Sequence, residues 1–505
     1  MLYFLDVGYV KKIQVLYFIN DAQNPVSINE IANYTGSTWK TIQVLLLALR
    51  KDIESFSFDL VETKEKKYFL VSNNSNQSIY FDDYLLMCGK NSLVFAIVEE
   101  LFYKESINTI EFCNDRYISQ ATFSRGKKKL RDILLKSNLK LPTYVKKGIV
   151  GNEYKIRLFY FYFFYSFYNS IEWPFEESAM NDINNNFYSK FEKIVGPISN
   201  INKRKFCILA YIIKKRISQR HFIKKDMISF EGLKVYSPVY DLFNSFFKKN
   251  IYIDEDTIKK EVNFFIYGLY SNEIIDIDKR DLLPIIKKDK QVTELTNTWI
   301  LEFKQTVIYS LSNEDELLLF YKLSRLHLRY RYNYFPNKLF SKYELFDTDL
   351  EKYNEWIYIK TKKMYKNIIK YDVYIKFLNN YLSNNERNEL FENYYYYIYS
   401  YFLSLEKLKP ITIYIDDSIG KIDKKILKKR LELVFGDNII IKEIENGDIE
   451  LILTSSVYKI DEIEREKVFY YRNDKSFFKF TEIIQKKIYI QLSKNRKLKE
   501  HIYED

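Results

Sequence analysis

YISQATFSRGKKKLRDIL, Tyr117 to Leu134, joins a serine-led turn to a segment crowded with lysine and arginine. Ser119 is a favoured helix N-cap, so this spacing predicts a helix that begins at Gln120. Ahead of it, Asn108 or Ser106 is suited to cap a preceding helix, and IEFCNDRYI (110–118) is expected to form the turn between the two. One face is apolar at helical spacing and is predicted to pack inward: Phe123, Leu130, Ile133 and Leu134.

The other face of this predicted second helix is basic. Between Arg116 and Lys147 the chain carries ten lysines and arginines and a single acid, Asp132. A solvated helix gains stability from mixed charges four residues apart, whereas charge of one sign suits contact with phosphates. We therefore predict DNA contacts, with ordinary solvated surface as the alternative, at Gln120, Ala121, Thr122, Ser124, Arg125, Lys127, Lys128, Lys129 and Arg131. Gly126 within this helix indicates either tight packing or a close approach of the DNA backbone.

An earlier segment, SINEIANYTGSTWKTIQVLLLALRKDI, predicts another helix-turn-helix. Ser27 and Glu30 form a capping box, Tyr34-Thr35-Gly36 supplies the turn, and Ser37 is expected to cap the second helix. Ile42, Leu45 and Leu49 are predicted to face inward. The opposite face would contact DNA through Trp39, Lys40, Gln43 and Arg50. It carries few positive charges and an outward Leu47, so packing or dimer contact is the alternative.

Each helix-turn-helix pattern is followed by a predicted wing. Residues 57–71 contain two apolar runs around a charged turn, which predicts a hairpin, and residues 139–157 are expected to form a second one. From residue 153 to 405 the apolar spacing is helical, and the aromatic run 158–168 predicts a buried helix. The proline in 272–290 is interpreted as a separator of two helical domains. From Pro410 onward, strand, helix, strand, strand and a helix from about Phe477 predict an α/β domain with a parallel sheet.

Composition sets wider limits. A chain of 505 residues predicts several domains, and a net charge of +12 favours a polyanionic partner. Cys88, Cys113 and Cys207 are scattered, as expected for reduced thiols in a cytoplasmic protein. The apolar N-terminus lacks the pattern of a signal peptide, and no run reaches the roughly 20 residues that a membrane-spanning helix needs, so no membrane contact is expected.

The stretch at 117–134, GNEYKIRLFYF (151–161) and the order of the parts resemble the Mga/AtxA-like family of Gram-positive virulence regulators. The resemblance implies a mainly α, multidomain protein. Its parts would be two winged helix-turn-helix domains at 1–75 and 76–152, two all-helical domains like phosphotransferase-system (PTS) regulation domains at 153–283 and 284–405, and an enzyme-IIB-like α/β domain at 406–505. It also implies a DNA-binding transcriptional activator that binds double-stranded DNA and RNA polymerase and self-associates.

The resemblance further implies regulation by histidine phosphorylation from the PTS phosphocarrier protein. His221 and His327 are the candidate sites, and His501 lies in the tail. Phosphate on His221 would meet Arg216, Arg220, Lys224 and Lys225; the alternative is a histidine with no regulatory role. Active enzyme IIB has a cysteine after its first strand, but here Ile411–Ile415 runs into Asp416-Asp417-Ser418-Ile419-Gly420, which favours docking or a homodimer interface over phosphoryl transfer.

The sequence gives little support for an enzyme or a metal site. The chain contains no GxxxxGK[ST], HExxH, GxSxG or GxGxxG motif, and its histidines and cysteines are dispersed, so we expect neither catalysis nor a cofactor or metal. Asp416 and Asp417 remain a weak alternative as an acid/base or metal pair. Two related regulators stay open: a phosphotransferase-class sugar-operon activator, and an RNA-binding antiterminator that shares the regulation domains.

Overall fold

The computed structural model describes most of the chain: residues 1–22, 24–72, 81–142, 148–168, 171–247, 252–307, 311–332, 337–340, 355–405, 410–416, 421–442, 449–454, 467–471, 479–484 and 487. The fold is mostly helical and forms two compact units. The first comprises Met1–Asp349 and Lys362–Phe391, and the second comprises Leu350–Thr361 and Glu392–Asp505.

The first unit opens with three helices and a small antiparallel sheet. These elements are α1 (Val7–Asp21), β1 (Val26–Ser27), α2 (Ile28–Thr35), α3 (Trp39–Ile53), β2 (Phe58–Glu62) and β3 (Lys67–Ser72). The predicted capping box starts α2, and Gly36 ends it in the left-handed conformation with φ of 59°. β2 and β3 form the predicted hairpin, and the sheet order is β1-β3-β2. The N-cap of α3 is Thr38 rather than the predicted Ser37.

Four more helices follow: α4 (Asp82–Lys90), α5 (Leu93–Lys104), α6 (Thr109–Asp115) and α7 (Gln120–Leu135). Most of the segment predicted as a turn is therefore helix α6, and residues 116–119 connect it to α7. The predicted second wing is reduced to one antiparallel bridge between Lys140 and Val150, and residues from Glu153 onward belong to the next helix. Residues 143–147 of this predicted wing lie outside the described residues.

A long helical region completes the first unit and enters the second. Its helices are α8 (Glu153–Tyr168), α9 (Glu177–Asp182), α10 (Ser189–Val195), α11 (Asn200–Ser218), α12 (Tyr236–Phe247), α13 (Glu255–Ser271), α14 (Lys279–Lys288), α15 (Lys290–Thr306), α16 (Asn313–Tyr332), α17 (Asn337–Phe340), α18 (Glu355–Ile368), α19 (Asp372–Tyr381) and α20 (Asn384–Leu405). A π-helical turn, Ile183–Tyr188, joins α9 and α10. Pro284 lies inside α14, and the segments on both sides of it belong to the first unit.

Helix α8 is the predicted buried aromatic helix. It is apolar around most of its circumference, as a fully enclosed helix must be. Phe163 and Phe167 pack on Phe95 of α5, and both also contact Phe4 near the N-terminus. Because these rings are almost completely buried, α8 fixes α5, and with it the helices that follow, to the helical region.

The second unit contains a parallel sheet of β4 (Ile411–Ile415), β5 (Ile439–Lys442), β6 (Leu451–Thr454) and β7 (Val468–Tyr470), with α21 (Lys421–Phe435) after β4. The order is β5-β4-β6-β7, and every described pairing is parallel. The sequence prediction missed β7. The terminal helix is described over 479–484, where Phe480 and Ile484 join the apolar core of this sheet.

Candidate nucleic-acid interface and histidine sites

Helix α7 begins where the sequence predicts. The Ser119 hydroxyl accepts a hydrogen bond from the Thr122 backbone N–H at 3.1 Å, and the Asn108 side chain caps α6 in the same way. Tyr117, in the turn between the helices, has φ of 52°, a left-handed conformation that non-glycine residues adopt mainly in tight turns. The two helices and this turn form a helix-turn-helix in which α7 is the second helix.

The inward face of α7 is also as predicted. Phe123, Leu130, Ile133 and Leu134 are at most 3% exposed. Gly126 lies on this face, and a Cβ atom there would stand 2.6 Å from Leu93 Cδ2 of α5. Of the two explanations offered for this glycine, the structure supports tight packing, because the missing side chain lets α5 and α7 approach each other.

Five of the nine predicted contacts on α7 are exposed: Gln120, Ala121, Ser124, Arg125 and Lys128. Thr122, at the capped start, is half-buried, and its hydroxyl accepts a hydrogen bond from Arg125 Nη2 at 3.2 Å. The exposed set forms a continuous strip along the first three turns, with two cations and three small or polar side chains. Such a strip is suited to the phosphates and base edges of a major groove.

The other cations of α7 are less available than the sequence implies. Lys129 Nζ donates to the Leu5 carbonyl at 2.6 Å, and burial lowers the pKa of this amine. Arg131 Nε donates to the Leu141 carbonyl at 3.2 Å. Lys127 is half-buried, and burial lowers its pKa as well. Lys129 and Arg131 therefore tie α7 to neighbouring backbone, and the basic surface centres on Arg125 and Lys128.

Helix α3 presents a different surface. Trp39, Lys40 and Gln43 are exposed as predicted, but Arg50 pairs with Glu62 of the adjacent hairpin at 3.1 Å. Val44 and Leu47 are 68% and 62% exposed. This face is therefore more apolar than basic, which leaves α7 as the better candidate for phosphate contact.

His221 lies just after α11 in a charged cluster that joins the helix-turn-helix to the helical region. Its Nε2 contacts Glu105 Oε1, and Glu105 ends α5 in the left-handed conformation. Arg216 donates to both oxygens of Glu153, at 2.9 and 2.8 Å. Burial by itself raises the pKa of the Glu153 carboxyl, but hydrogen bonds and charge contacts with Arg216 and Arg157 outweigh it and hold the pKa below its usual range.

The loop that carries His221 is held from beneath by a fully buried ion pair. Arg157 binds Glu261 through two hydrogen bonds, at 2.5 and 3.0 Å, and neither side chain is exposed. Arg157 also donates to the His221 carbonyl at 2.8 Å, and Glu261 accepts from the Ile223 N–H at 2.9 Å. The sequence shows no sign of this arrangement, because its members are up to 104 positions apart in the chain.

The other two histidines differ from His221. His327 is completely buried, with Nδ1 at 2.8 Å from the Thr296 hydroxyl and Nε2 at 3.4 Å from the Tyr374 hydroxyl. Burial lowers the pKa of this imidazole to about 3. A phosphocarrier protein has no access to the ring in this conformation, so the structure does not favour His327 as an acceptor. His501 lies outside the described residues.

Asp416 and the three cysteines are the remaining candidate groups from the sequence. Asp416 follows β4, and its carboxylate accepts a hydrogen bond from Thr454 at 2.6 Å, whereas residues 417–420 lie outside the described residues. The three cysteines are buried thiols. Within the described part of the chain, no three His, Cys, Asp or Glu side chains are grouped to hold a metal ion. No helix among the described residues has the length and apolarity to cross a bilayer.

Comparison with known proteins places this helix-turn-helix in a family. Residues 76–164, from before α4 to within α8, match the Mga helix-turn-helix domain. The chain is similar to a putative trans-acting regulator of Streptococcus pneumoniae serotype 4, with 23% identity over 267 residues, which are 51% of this chain and 52% of that protein. The match thus spans about half the length of that relative.

Two further relatives come from Bacillus anthracis. The capsule synthesis positive regulator AcpB is 21% identical over 337 residues, 63% of this chain and 67% of its own. The capsule synthesis positive regulator AcpA is 25% identical over 308 residues, 59% of this chain and 57% of its own. Together with the domain match, these relatives confirm the expected resemblance: the chain carries an Mga helix-turn-helix domain and is similar to regulators of the Mga/AtxA-like kind.

Proposed function

We propose that this protein is a transcriptional regulator that binds double-stranded DNA through α7, without catalytic activity. The observation that carries the proposal is the exposed strip on α7, where Arg125 and Lys128 stand among small and polar side chains on the second helix of an Mga helix-turn-helix. A helix in this position commonly enters the major groove. The exposed side chains of α3 would provide a second, weaker contact.

We further propose that the protein acts as an activator. Two of its relatives are named positive regulators. As an activator, the protein would recruit or contact RNA polymerase. The promoters that this chain recognises need not be those of capsule genes.

The experiment is a gel-shift titration of the intact chain with duplex DNA from upstream of its own gene. We expect a retarded complex that unlabelled duplex DNA disperses and that structured RNA disperses poorly. The opposite order of competition would favour the RNA-binding antiterminator and would contradict this proposal.

We also propose that the PTS phosphocarrier protein phosphorylates His221. The side chain is 41% exposed, and Arg216 lies beside it. In the transfer, a phosphorus–nitrogen bond to the carrier's histidine breaks while one to a ring nitrogen of His221 forms. The product would stand next to Arg216, Arg220, Lys224 and Lys225, which are suited to pair with its negative charge.

Phosphorylation can be checked by mass spectrometry of the intact chain after incubation with the phosphorylated carrier. We expect the mass of one added phosphoryl group on the wild type and none on His221→Gln. His327→Gln, as the matched control, should accept the group like the wild type. Labelling that persists in His221→Gln would contradict the assignment.

For the domain plan, we propose the five segments 1–75, 76–152, 153–283, 284–405 and 406–505. The strand order of the second unit, with the first strand between the second and third, supports an enzyme-IIB-like fold for the last segment. The second compact unit consists of Leu350–Thr361 and Glu392–Asp505, so it contains the whole of the last segment together with residues that precede it in the chain.

We propose that this last segment forms a homodimer interface. Ile426, Leu433 and Val434 lie at helical spacing on one face of α21 and are between 51% and 76% exposed. Among the described strands, β5 lies at an edge of the sheet, and its Ile440 is 50% exposed. An apolar helix face in the same unit as an open sheet edge is suited to pair with a second copy.

The dimer is tested by substituting Leu433 with glutamate, which would introduce a charge into that interface. In size-exclusion chromatography with light scattering, we expect the wild type to have twice the mass of the chain and Leu433→Glu to have the mass of one chain. Leu317→Glu, at an exposed leucine of α16, is the matched control and should remain dimeric. A dimeric Leu433→Glu variant would contradict this interface.

A further inference from the structure

The strongest unassigned feature of the first unit is a cavity of about 510 Å³ at the junction of the helix-turn-helix and the helical region. Its walls come from the end of α5, from residues 148–156 and from the segment that follows α11. This volume is typical of sites for small molecules, which range from roughly 300 to 1,000 Å³. The cavity lies beside the His221 cluster and is not required for DNA contact by α7.

Several residues that line the cavity are basic. Arg220, Lys224 and Lys225 line it and are exposed, and no carboxylate among the described residues pairs with them. Arg216 also lines it, although its side chain is only 5% exposed. Nε and Nη2 of Arg216 bind Glu153, but Nη1 has only long contacts, with Gln219 at 3.4 Å and Glu105 at 3.8 Å. Nη1 of this nearly buried guanidinium, in a residue that lines the cavity, is therefore held less closely than its other two nitrogens.

The acids at the cavity do not neutralise these groups. Glu153 forms ion pairs with Arg157 and Arg216, and all three side chains are at most 10% exposed. Glu105 is the other lining carboxylate, and it occupies the position beside His221 and Arg216 where an incoming anion would bind. The Glu105 carboxylate is therefore an anion that the protein itself supplies, and we call it the internal anion. The three exposed cations of the cavity remain without a carboxylate partner among the described residues.

Other residues that line the cavity are apolar. Ile149, Ile156 and Ile223 line it and are at most 7% exposed, and Phe222 lies next to the basic residues. A bare inorganic ion would make no use of these apolar side chains. The combination of basic and apolar lining residues is suited to a ligand with a phosphate group on a carbon skeleton.

We propose that the cavity binds a phosphorylated small metabolite, whose phosphate pairs with Arg220, Lys224 and Lys225 and displaces the Glu105 carboxylate from His221 and Arg216. This ligand would be a diffusible effector, separate from the phosphocarrier, although a phosphoryl group on His221 offers the same chemistry from a covalent source. Occupancy would reach the DNA-binding helices through Glu105, because this residue ends α5.

The backbone around Glu105, at the end of α5, is packed closely against neighbouring segments. A Cβ atom on Gly148 would lie 2.8 Å from the Glu105 carbonyl oxygen, so residue 148 must be glycine for the chain to pass there. Gln219 Nε2 also donates to the Phe102 carbonyl at 3.1 Å. We therefore expect a ligand that moves the backbone of Glu105 to act on both neighbouring segments.

The experiment is isothermal titration of the intact chain with glucose 6-phosphate, in the absence of DNA and phosphocarrier, and with glucose as the uncharged control. We expect saturable binding of the phosphate ester and none of glucose. The double variant Lys224→Gln/Lys225→Gln should bind at least about tenfold more weakly, since it loses two charge-assisted contacts. Lys190→Gln/Lys193→Gln, two exposed lysines of α10, is the matched control and should bind like the wild type.

A second variant tests the internal anion. Glu105→Gln removes the competing carboxylate, and we expect it to bind the ester at least about threefold more tightly. A merely structural role of Glu105 would instead leave affinity unchanged or weaken it, and this result would overturn the proposal. So would the absence of saturable binding of glucose 6-phosphate up to about 10 mM, the weak end of the affinity scale.

Mass spectrometry of the intact chain after the titration distinguishes a diffusible ligand from a phosphoryl group bound covalently to His221. An unchanged mass supports a diffusible ligand, whereas the added mass of a phosphoryl group would overturn it. Because the titration contains no DNA, its outcome does not depend on DNA binding. A failure of DNA binding in the gel-shift experiment would therefore contradict the proposed function alone.

Discussion

Replacing Arg157 with leucine is expected to lower the free energy of unfolding of the first unit by about 3–5 kcal/mol, the usual cost of removing one partner from a buried ion pair. The loss arises chiefly from Glu261, which would remain in the core without its two hydrogen bonds from the guanidinium. The His221 carbonyl would also lose its donor. Urea denaturation followed by circular dichroism measures the change.

Arg50→Leu is the matched control for this experiment. Arg50 also pairs with a glutamate, but both side chains of that pair are about one third exposed. Surface pairs contribute about 0–1 kcal/mol, so this control should unfold almost like the wild type. If Arg157→Leu lost no more stability than the control, the buried cluster would not hold the His221 loop as described. Should Arg157→Leu fail to fold, Glu261→Gln provides a milder test of the same pair.

Replacing both Arg125 and Lys128 with glutamine is expected to weaken binding to duplex DNA by about ten- to a hundredfold near 0.1 M salt, because two phosphate contacts are lost. Both side chains are exposed on α7, so the fold should be retained. Fluorescence anisotropy with labelled promoter DNA measures the affinity. The α10 variant Lys190→Gln/Lys193→Gln removes the same charge elsewhere and should change affinity far less.

Local signals in the sequence were sufficient for much of this interface. The capping box at Ser27 and Glu30, the Ser119 cap and the apolar stripe of α7 each depend on residues within a few positions, and the structure has all three. The hairpin of β2 and β3 is equally local. Such features follow from helix and strand periodicity and need no tertiary information.

Tertiary contacts explain what the sequence did not reveal. Lys129 and Arg131 share the basic pattern of Arg125, but they bind the backbone of Leu5 and Leu141. His327 and His221 both lie near arginines in the sequence, but His327 is buried in the core. No local pattern separates these cases, because the deciding partner lies elsewhere in the chain.

The short strand β7 and helix α6 were missed for a different reason. Val468–Tyr470 spans three residues, too few for an alternating pattern to stand out. Thr109–Asp115 has polar residues at both ends, and the sequence reading took it for a turn. Short elements such as these depend on packing against their neighbours, and their boundaries are the least predictable from sequence.

The most direct test of DNA contact by α7 is the salt dependence of binding. For the intact chain and for Arg125→Gln/Lys128→Gln, the logarithm of the binding constant is plotted against the logarithm of the salt concentration. The slope should be shallower by about two in the double variant, since each lost phosphate contact removes about 0.9 from it. Equal slopes for the wild type and this variant, or an equally shallow slope for the α10 control, would contradict the assignment of α7 to DNA.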